Sequence, residues 1–116
     1  MLRASSEHSQ ESIDLKAVVG EAAGDGGIPH GALLIRFAEA VISGSDSELA
    51  ACRKLVSDTL GPAALVDAAG VCGLFNAIDR VADSTGIPLE DEKAAVTETL
   101  RAQLGIDRFA AAKSGL

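Results

Sequence analysis

Few residues of this chain carry reactive side chains, and their types and spacing narrow the available chemistry. Cys52 and Cys72 are its two thiols, and His8 and His30 its two histidines. A thiolate that attacks a peroxide needs a lowered pKa and a second thiol to resolve the sulfenic acid it forms. Cys72 has no His, Lys or Arg within one helical turn to lower its pKa, and the cysteines lie twenty residues apart on different predicted helices. That is neither a disulfide framework nor a zinc pattern. Each cysteine is expected to be a small buried hydrophobe. His8 falls in a polar N-terminal stretch and His30 at a helix entrance, where an exposed turn residue is expected, so neither a metal site nor a cofactor is expected.

The second group is Asn76 with Arg80. Residues four apart share one face of a helix, and Asp79 with Asp83 makes a second such pair. An amide beside a guanidinium could orient a small-molecule ligand at a pocket edge. The same two residues equally suit a structural polar network or a subunit contact, because a buried polar group without a partner is costly. The run Gly24-Asp25-Gly26-Gly27 invites comparison with a phosphate-binding loop. No Lys-Ser/Thr follows it and no strand precedes it, so a flexible loop is expected instead.

These residues hang on one long predicted helix, Pro62 to Thr85. Proline suits a first helical position, where its missing N–H costs nothing. Gly86 suits the left-handed residue past the end, and Pro88 discourages continuation. Val71, Leu74, Phe75, Ile78, Val81 and Ala82 recur at three- and four-residue spacing, as a core-facing stripe should. No polar side chain interrupts Ala68 to Phe75, so this half is expected to be buried on several sides. Small residues there (Ala68, Ala69, Gly70 and Gly73) would admit neighbouring helices closely.

Other elements follow from similar signals. A short helix is expected over Ile13 to Ala23, capped by Ser12, with Ile13, Leu15, Val18 and Val19 as its apolar side. Pro29 to Ser43 predicts a helix with Leu33, Leu34, Phe37, Ala38 and Val41 inward and Arg36 and Glu39 in water. Ser45 and Glu48 match a capping box opening a helix to Leu60, with Leu49, Cys52, Leu55, Val56 and Leu60 inward. A last helix is expected over Leu89 to Leu104, with Val96, Leu100 and Leu104 as its stripe. Ile106 and Phe109 would pin the tail. Short connections favour antiparallel neighbours. The expected fold is all-α: an antiparallel bundle of four to five helices around the central helix 62–85. Residues 1–28 form a flexible segment with a possible short helix, 29–110 a single helical domain and 111–116 a frayed tail.

Composition sets outer bounds. The 116 residues are 47% hydrophobic, with three Phe and no Trp or Tyr, so the core must be aliphatic. A net charge of −7 argues against a nucleic-acid surface and against an anionic membrane. The longest uninterrupted apolar run, Ala68 to Phe75, falls far short of a membrane span of about 20 residues. The N-terminus lacks the apolar core of a secretory signal, so a cytoplasmic protein is expected.

The stretch LVDAAGVCGLFNAIDRVADSTGIPL carries a family resemblance. It is similar to the C-terminal part of alkylhydroperoxidase D-like proteins of the carboxymuconolactone decarboxylase superfamily. That group often has a Phe-Asn…Arg-x-Ala-Asp helix followed by Gly-Ile-Pro, here Phe75, Asn76, Arg80, Ala82, Asp83, Gly86, Ile87 and Pro88. LRAQLGIDRFA resembles the family's tail, and with Leu33 to Glu39 the likeness covers about two-thirds of the chain. It implies an all-α fold that usually assembles into homo-oligomers. Family peroxidases use a Cys-x-x-Cys pair with a nearby His and a Glu, and this chain has no such pair. Decarboxylase members need no thiols, only polar groups that hold a carboxylate and protonate a carbanion. The expectation is therefore a non-redox oligomeric binding or structural module. The alternatives are a small-molecule decarboxylase or isomerase using Asn76 and Arg80, and a thiol-dependent hydroperoxide reductase relying on Cys52 or Cys72.

Overall fold

The computed structural model describes residues 12–20, 22–43 and 45–108. They form a 3₁₀ turn, Leu15–Ala17, and four α-helices: α1 (Gly31–Ser43), α2 (Asp46–Leu60), α3 (Pro62–Thr85) and α4 (Asp91–Leu104). No strand occurs among the described residues, so the all-α expectation holds. The chain divides into two compact units, Met1–Leu74 and Phe75–Leu116, with the division inside α3.

The first unit is built on the α1–α2 hairpin. Phe37 and Ala40 from α1 meet Cys52 and Val56 from α2, and these four are its central buried cluster. The spacings 37/40 and 52/56 place each pair on one helical face, so two short apolar stripes close against each other. Leu33, Val41, Leu49 and Leu60 pack around the cluster, as do Leu65, Ala68 and Cys72 from the start of α3. Leu55, expected inside, is 42% exposed, because the cluster is narrow enough for Cys52 and Val56 to fill α2's side of it.

The segment ahead of α1 is folded back by turns rather than by a helix. Asp14, not Ser12, caps its single 3₁₀ turn by accepting from the Lys16 N–H. The Asp14 N–H donates to the Gly26 carbonyl at 2.8 Å, and the Asp25 carboxylate accepts from the Gly27 N–H at 2.9 Å. The glycine-rich run is thus a series of turns laid against α1. Gly31 admits that approach, since a Cβ there would lie 1.9 Å from the Asp25 carbonyl oxygen. Val18 is exposed rather than inward, as the 3₁₀ turn ends before it can be rotated under the segment.

The second unit holds the end of α3 and all of α4. Ser84 Oγ donates to the Arg80 carbonyl and Thr85 Oγ1 to the Val81 carbonyl, which satisfies two acceptors of the last turn. Gly86 has φ 66° and Gly105 φ 62°, the left-handed values expected past a helix end. Helix α4 begins at Asp91 rather than Leu89, with Glu90 as its extended N-cap and Asp91 and Glu92 in its first turn. Arg101 clamps its end. Its Nη1 reaches the Ala94 carbonyl and Thr97 Oγ1, and its Nε reaches Asp107. Leu104 is buried and Leu100 half-buried, but Val96 is 78% exposed, so the expected stripe of α4 is only partly covered. Ile106 is also exposed, and Phe109 lies outside the described residues.

Helix α3 departs most from expectation. It has the expected bounds, yet none of its residues is buried. Val66, Val71, Leu74, Phe75, Ile78 and Val81 are between 52% and 70% exposed. The helix has two apolar faces. Leu65, Ala68 and Cys72 make the smaller one and rest on the α1–α2 cluster, while the larger, expected to face the core, is more than half exposed. By length and composition alone α3 is also long and apolar enough to cross a membrane. The expectation that no stretch does so is corrected. It counted uninterrupted apolar residues, whereas here isolated charges such as Asp67 are averaged into an apolar surround.

Candidate functional site

One group of chemically capable side chains is assembled across the α1–α2 hairpin. Arg36 on α1 donates through Nε to Glu48 Oε1 on α2 at 2.5 Å. One turn further along α2, the Cys52 thiol faces the same oxygen at 3.6 Å. The spacing of Glu48 and Cys52, four residues, puts both on one face of α2, and the hairpin turn brings Arg36 opposite. The three therefore form a guanidinium–carboxylate–thiol chain from solvent into the core, with Cys52 at its closed end.

The electrostatics follow from that order. The hydrogen bond from Arg36 holds the Glu48 carboxyl below its ordinary value of 4.5, against a smaller opposing effect of burial. The same bond raises Arg36. Burial pushes the Cys52 thiol above its ordinary value of 9.0. Arg36 works against that rise, while the charge and hydrogen bond of Glu48 add to it. A thiol held protonated, with no exposed surface, is a poor nucleophile. The arrangement serves to satisfy a buried thiol and to lock α1 to α2. It is not the electropositive, accessible setting that activates a cysteine. Cys72 is half-buried against the same cluster and, like Cys52, carries a free thiol.

Sequence reasoning missed the role of Glu48. It paired that residue with Ser45 in a capping box. Ser45 is the N-cap, but its side chain makes no capping bond, and the Glu48 carboxylate is turned to Arg36 instead. The two charges stand twelve residues apart on different helices, so only the packing of the hairpin brings the pair together.

Asn76 and Arg80 lie on α3 as expected, Asn76 half-buried and Arg80 exposed. They belong to the second unit, whereas Arg36 belongs to the first. A cavity of about 100 Å³ lies between the turn segment and α1, lined mainly by Ile13, Leu15, Val18, Ile28, Leu34 and Ile35. Neither Asn76 nor Arg80 borders it. His30 is exposed at the entrance of α1. Among the described residues no cluster of three or more His, Cys, Asp or Glu could hold a metal ion. Compared with protein-family models, with curated proteins and with solved structures, the chain matches none.

Proposed function

We propose that the chain is a non-redox, self-associating helical module related to the alkylhydroperoxidase D-like proteins of the carboxymuconolactone decarboxylase superfamily. In this reading it binds through α3 and performs no thiol chemistry. The observation that carries the reading is the uncovered apolar face of α3. Five large side chains on that face, Val71, Leu74, Phe75, Ile78 and Val81, are more than half exposed. Monomeric soluble proteins seldom leave an apolar patch larger than a few hundred Å². The missing Cys-x-x-Cys and the closed, protonated setting of Cys52 support the non-redox part.

Sedimentation equilibrium of the full chain tests the first half of this reading. An assembly larger than one chain at micromolar concentration is expected, and a monomer at every concentration overturns it. Hydroperoxide consumption with an external thiol tests the second half. Equal background rates are expected for the wild type and for a Cys52→Ala/Cys72→Ala variant. A rate lost with the cysteines would establish the peroxidase reading in its place.

A further inference from the structure

The exposed residues of α3 follow a regular order. Val71, Leu74, Ile78 and Val81 follow one another at intervals of three, four and three. That is the a/d spacing of a coiled-coil seam, with β-branched Val71 and Ile78 at a and Leu74 and Val81 at d. Continuing the pattern outward puts Asp67 at the preceding d position and Thr85 at the following a position. The flanking e and g positions are Ala68, Gly70, Phe75, Ala77, Ala82 and Ser84, all uncharged. A heterologous coiled-coil partner is normally selected by charges at those positions. None is present here, while the small g residues let a second backbone come near.

We propose that this seam is covered by the α3 helix of a second copy, packed antiparallel. The proposal rests on the self-association reading above and names its contact. Area supports the occupant. The four seam residues and Phe75 beside them, each about half exposed, at roughly 100 Å² apiece give on the order of 1,000 Å² for two copies, about the smallest area that a specific interface clears. Asp67 decides the direction. A parallel, in-register pair sets two Asp67 carboxylates against each other at a d layer, where like charges repel in a desolvated setting. An antiparallel pair centred near Asn76 sets Leu74 against Ile78, Val71 against Val81, and each Asp67 against Thr85 of the other copy. The carboxylates then sit at opposite, wet ends. A lipid surface suits the face less well, since Asp67 lies within the apolar stripe. The opposite side carries Asp79 and Asp83 beside Arg80 rather than the lysines and arginines of a membrane-surface helix.

The test uses the full chain. Ile78→Arg presses an unpaired charge into the centre of the seam and is expected to weaken self-association at least about 100-fold. Ile78→Ala, which removes bulk without adding charge, is expected to weaken it about 10-fold. Ile78 is half exposed in the single chain, so circular dichroism should report the same helix content for both variants as for the wild type. Direction is read from nitroxide labels on Ser84→Cys in a Cys72→Ala background. In the antiparallel pair, position 84 faces position 68 of the other copy, so the labels stand on the order of 24 Å apart along the axis at 1.5 Å per residue. In a parallel pair they lie side by side. A wild-type oligomer that Ile78→Arg leaves intact, or labels side by side, overturns the seam while the self-association reading survives. A wild-type monomer overturns both, and flotation of that monomer with phosphatidylcholine vesicles would assign the face to a lipid surface.

Discussion

At the scale of single residues, the first unit depends on very few side chains. Phe37 is its one buried aromatic and fills the space between α1 and α2. Phe37→Ala is expected to cost about 3–5 kcal/mol, through lost transfer energy plus the cavity left behind. Urea denaturation followed by circular dichroism measures it. Glu48 gives a pH signature. Its folded-state pKa lies below the ordinary carboxylate value, so its contribution to stability is present above about 4.5 and is lost as pH falls through the depressed value. The urea midpoint of the wild type should therefore drop more steeply than that of Glu48→Gln between about pH 6 and pH 3. The difference should be small and shrink in salt, because the Arg36–Glu48 pair is partly exposed. Cys52 has the opposite sign. Its raised pKa keeps its contribution intact below its ordinary value of 9.0 and releases it as pH rises through the folded value.

At the scale of elements, the bounds of α3 and the inward faces of α1 and α2 were legible, and the covered face of α3 was not. Pro62, Gly86 and Gly105 each impose a backbone geometry that needs no neighbour, so their positions could be read directly. Which side of α3 meets the core depends on a partner element, and both of its sides are apolar. The large Val–Leu–Ile side looked like the core, and the smaller Leu65–Ala68–Cys72 side occupies it. The Arg36–Glu48 contact was hidden for the same reason, since it joins residues of different helices. The entrance of α1 offers a separate check. His30 is the one non-glycine among the described residues with positive φ, at 58°. An L-residue held there carries roughly 1–2 kcal/mol of strain. His30→Gly relieves it, partly offset by the freer unfolded chain, and should raise stability by about 0.5 kcal/mol. His30→Val should lower stability by about 1–2 kcal/mol, because a β-branched side chain tolerates positive φ worst. Thermal melts of the two variants beside the wild type decide the sign.

At the scale of the whole molecule, composition located the all-α class but not the unevenness of burial. The chain is 47% hydrophobic, yet much of that lies on α3 and at Val96, Ile87 and Leu89, outside the buried cluster. If α3 is covered by another copy, stability must depend on protein concentration, because only the folded chain associates. The melting temperature is expected to rise by about 3 °C for each tenfold increase in concentration and to lose that dependence in Ile78→Arg. Calorimetry across a dilution series measures it. Cys52 adds a practical consequence. Its sulfur is sealed between α1 and α2, so an alkylating reagent reaches it only during the moments when that hairpin parts. When closing outruns the reagent, the labelling rate divided by the rate for a free thiol is the opening equilibrium itself. Cys72, half-covered on α3, should be tagged first and marks the time at which reagent is present. The chain thus contains its own clock and its own gauge, and mass spectrometry could read both in an unfractionated lysate.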